Sequence, residues 1–190
     1  MTMTTKRKRL TLAEVKAELA EVARVGQMFV DGDACRKLWA PAAQTFMTGD
    51  DMNYDNAVTV PVKKTLMRLE RLARVACSVA LWRRRPDAPD SGEALLFGST
   101  GSPEGSNKPT NRGYVPPKMT PQMKKVFLEG KNAWKVRHNQ AGVQIMIDRG
   151  LDQPTREING NATVQLFVPV KDSMGEVAAA LEVFTVATGA

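Results

Sequence analysis

Cysteine and histidine are scarce in this sequence. Its 190 residues include two cysteines, Cys35 and Cys77, and one histidine, His138. The cysteines stand in no metal or redox spacing, so a zinc centre would need help from distant carboxylates. No metal and no cofactor are expected. Long apolar runs are also missing. None is long enough to span a bilayer. The basic start is not followed by the apolar region of a signal peptide. These absences point to a cytoplasmic protein with no membrane partner. A phosphate cradle is absent too: Gly98-Ser-Thr-Gly-Ser-Pro-Glu-Gly105 lacks the Gly-Lys-Ser/Thr ending that such loops require. Asp50, Asp51 and Asp55 share an acidic loop but lack calcium-loop spacing and its terminal glutamate. With no nucleophile-base pair either, an enzyme is not expected.

What is present is ordinary for a folded domain. Apolar residues make up 43% and charged residues 25%, enough for a core of normal size. The net charge is +7. Four of the positive charges lie in Lys6-Arg7-Lys8-Arg9, leaving +3 for the remainder, so the basic balance is largely a property of a tail, residues 1–10, expected to be disordered. The rest divides into an N-terminal helical segment, 11–58, and a sheet domain, 59–187.

Thr11-Leu-Ala-Glu14 is a capping box. Behind it Leu12, Val15, Leu19, Val22 and Phe29 form an apolar stripe, with Gly26 completing the repeat. Glu14, Lys16, Glu18, Glu21 and Arg24 occupy the opposite face. Two readings of the stripe stand side by side: packing on the chain's own sheet, or a homodimer seam between N-terminal helices. Asp31-Gly32-Asp33 ends or kinks this helix. A second helical piece is expected over 34–48. A third starts near Pro61 and carries Val62, Leu66, Leu69 and Ala73 at helical period, with Lys63, Lys64, Arg68, Arg71 and Arg74 around it.

Strand signals dominate thereafter. Val75 to Trp82 and Glu93 to Phe97 flank a polar turn and read as a first hairpin, with Cys77 as a small buried hydrophobe. Gly98 to Met119 has no apolar period and is a long loop, of the kind that often covers a binding site. Thr120-Pro121 opens a helix that Gly130 closes. Asn132 to His138 alternates like a half-buried strand, and 143–148 is a further strand candidate. Asn161 to Ala187 is the strongest signal. Two apolar, β-branched runs flank Lys171-Asp-Ser-Met-Gly-Glu176, a hairpin with Gly175 at the end of its turn. The runs are apolar on both faces apart from Gln165 and Glu182, so this hairpin belongs mid-sheet, covered on each side. Pro169 belongs at a bulge or toward an unpaired edge.

The hairpin pattern Pro169-Val170, Asp172, Gly175, Val177 to Val183 resembles the last hairpin of PAS-like sensory domains of the Cache type. The upstream order of hairpin, loop and short helix closed by Gly130 is similar to that family as well, over roughly 61–187. The resemblance implies an α+β fold: a five- to six-stranded antiparallel sheet with long N-terminal helices packed on it. It also implies a non-catalytic sensor that binds a small organic ligand, such as a carboxylate, for signal transduction. The pocket implied lies between the sheet and the loop-helix segment, at Tyr114, Trp134, Arg137, His138, Met146 and Asp148. Aromatic walls would supply apolar area and a cation would hold the carboxylate. The alternatives are a partner-binding or structural module that keeps the fold without a ligand, and a basic nucleic-acid-binding protein. The last lacks aromatic interleaving and is not expected.

Overall fold

The computed structural model describes residues 11–38, 59–75, 77–85, 88–100, 118–137 and 161–188. Helix α1 spans Leu12–Phe29, α2 Gly32–Lys37 and α3 Thr59–Glu70. Strands β1 (Ser78–Arg84) and β2 (Ala94–Ser99) follow, joined through a 3₁₀ turn at Pro89–Ser91. Then come α4 (Pro121–Glu129), β3 (Ala133–Arg137), β4 (Asn161–Lys171) and β5 (Val177–Thr188). The fold is α+β: one antiparallel five-stranded sheet in the order β2-β1-β5-β4-β3, with helices on both faces.

The terminal hairpin lies mid-sheet. β5 is the central strand and pairs with β1 on one side and β4 on the other. Both hairpin strands are covered twice. Leu166, Val168, Leu181 and Val183 join the core under α1–α3, whereas Phe167 and Ala180 join a second core under α4. Gly175, with φ at 83°, takes the left-handed turn position that favours glycine. β3 pairs no further along β4 than Phe167. Pro169 therefore lies where β4 has no neighbouring strand on that side among the described residues, and its carbonyl accepts from Gln27 Nε2 at 2.9 Å.

The apolar stripe of α1 is buried in the chain's own core. The capping box forms as expected, and Val15, Leu19, Val22, Ala23 and Gly26 are enclosed against β4, β5 and α3. This lends a dimer seam through the stripe no support. Phe29 departs from the expectation: it is 67% exposed, and Val30, one residue on, turns inward instead. Phe29 is the last residue of α1, where the helix no longer has core over that side chain, and the extended Val30 that follows takes the inward position. α1 ends at Phe29 with Val30 as its C-cap, so the break expected at Asp31-Gly32-Asp33 is present, and Asp31 in addition opens the next helix. Its carboxylate caps α2 by accepting from the backbone N–H of Asp33 and Ala34, as an N-cap does. The expected helix over 34–48 is thus a short helix that starts earlier, and its later residues fall outside those described. So do the 1–10 tail, the acidic loop, most of the long loop and the strand candidate at 143–148.

Gly32 locates α2 against the hairpin turn. A Cβ there would lie 2.2 Å from the carbonyl oxygen of Lys171 and 2.7 Å from the amide nitrogen of Asp172. Arg36 bonds the Asp172 carboxylate through Nε and Glu176 through Nη2 at 3.0 Å, and Asp33 accepts from Ser173. The helix and the turn therefore hold each other in place.

Candidate functional site

Strand pairing builds a polar cluster on the sheet face that carries α4. In antiparallel strands, diagonal neighbours on one face are within reach of long side chains. Phe167 pairs with Glu182 and Gln165 with Phe184, so Gln165 and Glu182 are diagonal. Ala80 pairs with Glu182 and Trp82 with Ala180, so Trp82 is diagonal from the other side. The contacts follow: Trp82 Nε1 donates to Glu182 Oε2 at 2.7 Å, and Gln165 Nε2 donates to Glu182 Oε1 at 2.8 Å. Glu182 is only 4% exposed. Each carboxylate oxygen receives a neutral donor, and no ion pair reaches it among the described residues. Burial pushes its pKa above the ordinary value, against the pull of Trp82, Gln165 and, through space, Lys135.

Lys135 extends the cluster toward the sheet edge. It stands opposite Gln165 in the register and alternates with Ala133, which packs under α4. Arg137, two residues on, shares that face and is exposed. Partial burial lowers the Lys135 pKa, and the charge of Arg137 adds to that, while Glu182 opposes it. The result is a line of polar groups on an otherwise apolar face. A buried carboxyl group lies at its inner end and two basic side chains at its accessible end.

Of the residues expected at a site, Arg137 and Trp134 are described, and they lie on opposite faces. Trp134 pairs with Leu166 and points toward α1, where Lys16 Nζ sits 5.6 Å from its ring centroid. A single pocket on one sheet face cannot use both side chains. The alternation that makes the segment a strand also separates them. Trp134, 37% exposed, is a surface aromatic at an edge strand rather than a pocket wall beside Arg137. Tyr114, His138, Met146 and Asp148 lie outside the described residues. Glu182, Gln165, Trp82 and Lys135 were not singled out as a site. The available signal was the pair of polar residues inside the apolar runs of the hairpin. Only the register shows that they touch.

The described residues contain no group of His, Cys, Asp or Glu able to hold a metal ion, and no described helix is long and apolar enough to cross a membrane. The two cysteines are buried. Burial, with Asp31 adding to it, pushes the Cys35 thiol up to about 12. Burial and Glu70 push Cys77 up to about 11. Neither is disposed to act as a thiolate. The chain matches no protein-family model, and no curated protein is found to be similar to it.

Proposed function

We propose that the chain is a non-catalytic, PAS-like module of the Cache type that binds a small organic acid on the α4 face of its sheet. The observation that carries this reading is the placement of Lys135 and Arg137 beside the buried Glu182–Gln165–Trp82 cluster. A carboxylate ligand would meet the two cations, and the Gln165 amide, held in orientation by Glu182, would offer its remaining hydrogen-bonding capacity. Phe167 and Trp82 supply the apolar surroundings that such a site needs. Signal transduction through the packed helices is the role this reading assigns, with the cytoplasm as the compartment.

A thermal-shift screen with small carboxylates and amines tests it. A specific carboxylate near a hundredfold excess over its Kd should raise the melting temperature by about 5–10 °C. Lys135→Ala and Arg137→Ala should each remove most of that shift while leaving the unliganded melting temperature close to wild type. If no carboxylate shifts the wild-type chain, the second reading takes over: a partner-binding module with the same fold and no ligand. The density of hydrogen bonding around Glu182, which leaves little of it exposed, is the observation that favours that reading.

A further inference from the structure

The outer face of α3 is a basic surface without a compensating carboxylate among the described residues. Its inner face is fixed by Val62, Leu66 and Leu69, which are buried in the main core. Lys64, Arg68 and Arg71 follow at the spacing that stacks side chains along one line of a helix. All three are exposed. The winding continues past Glu70, because Arg71 and Leu72 donate their N–H groups to the carbonyls of Arg68 and Leu69 at 3.2 and 3.1 Å.

Several of the chain's other cations are answered. Arg24 pairs with Glu21, Arg36 with Asp172 and Glu176, Arg85 with Glu93 and Arg74 with Glu18. Lys64, Arg68 and Arg71 have no carboxylate partner among the described residues. Two exposed apolar side chains lie beside these cations in the chain, Met67 at 41% and Leu72 at 56% exposure.

We propose that this face docks on an anionic lipid surface, with α3 lying flat along it. Charge complementarity selects a polyanion, and the apolar side chains select among polyanions. A phosphodiester backbone uses cations alone and leaves Met67 and Leu72 in water. A lipid interface accepts both: the cations meet headgroups and the apolar side chains enter the boundary of the acyl region. The sequence expectation of no membrane partner rested on the lack of a spanning segment, and a helix lying on the surface needs none. The docking face is separate from the Lys135–Arg137 site, so failure of one proposal leaves the other standing.

The test is co-sedimentation of the full chain with vesicles of about 30% phosphatidylserine in phosphatidylcholine, against phosphatidylcholine alone. Binding to the anionic vesicles only is expected, and it should fall steeply with added salt. The triple change Lys64→Gln, Arg68→Gln, Arg71→Gln should lower partitioning on the order of 100-fold. The double change Met67→Ser, Leu72→Ser should lower it several-fold at unchanged charge. Circular dichroism confirms that each variant is folded. Should the triple variant not fold, the salt dependence and the double variant decide in its place. Three results would overturn the proposal: no binding to anionic vesicles; binding that survives the α3 changes but disappears when residues 1–10 are removed; or a preference for duplex DNA at the same salt that is indifferent to Met67 and Leu72.

Discussion

The Trp82 indole and the Glu182 carboxylate, one hundred positions apart in sequence, are joined by a 2.7 Å hydrogen bond inside the sheet. This contact ties the first strand to the last and fixes the inner end of the polar cluster. It places an ionisable group where water does not reach it. Because burial raises the Glu182 pKa, the folded chain binds its proton more tightly than the unfolded chain does. The stability contributed is full below the ordinary carboxylate pKa and is lost as pH rises through the raised folded value. Urea unfolding as a function of pH should show this loss in the wild type. Glu182→Gln, which cannot ionise, should lack it and should gain on the wild type as pH rises. A Glu182→Leu change removes the acceptor of the buried Trp82 indole and of the half-buried Gln165 amide and should cost about 1–3 kcal/mol.

Asp172 gives the opposite pH slope. Its burial acts to raise the pKa, but the Arg36 guanidinium and the N–H groups of Glu176 and Met174 together outweigh that and lower it. Stability from this group is present above the ordinary aspartate pKa and is lost as pH falls through the lowered one. Arg36→Ala should lower the melting temperature at neutral pH and shrink the difference between neutral and acid conditions. Melting curves of both proteins across the acid range check this.

Two glycines in the helices should respond differently to alanine. At Gly32 a Cβ meets the backbone of Lys171 and Asp172, which cannot swing aside. Gly32→Ala should therefore cost at or above the upper end of about 1–3 kcal/mol for overpacking. At Gly26 the nearest atom is Leu181 Cδ2, at 2.2 Å, the end of a side chain. Repacking of Leu181 and the gain of about 1 kcal/mol in helix propensity should make Gly26→Ala the milder change. Chemical denaturation of the two variants ranks them.

Cys35 and Cys77 should be silent to thiol reagents in the native state. Their pKa values, raised to about 12 and about 11 by burial, leave almost no thiolate at neutral pH. Reaction with a chromogenic disulfide should be slow in buffer and rapid, at two thiols per chain, in denaturant. Fast labelling of the folded chain would contradict the packing described.

Local signals were legible wherever one residue's chemistry fixes its neighbours. The Thr11–Glu14 capping box, the Thr120–Pro121 helix start and the left-handed closures at Gly130 and Gly175 all form as the sequence predicts. The mid-sheet position of the last hairpin was also legible, since its two apolar faces demanded cover on both sides. The break after α1 at Asp31-Gly32-Asp33 was legible too, but not the use of Asp31 as the cap of the next helix, because a carboxylate followed by glycine fits either role. Phe29 misled because helical period gives a side chain's direction and not whether the core extends as far as the helix end.

The amino-acid order alone therefore settled the type of most described helices and strands, and that the C-terminal ribbons are buried on both faces, because propensity, capping and hydrophobic period act over a few residues. The contact of Gln165 and Trp82 with Glu182, and the separation of Trp134 from Arg137 onto opposite faces, were decided by register and strand order. Those depend on which distant strands pair, and pairing is a long-range outcome of how the whole core closes rather than of any single stretch.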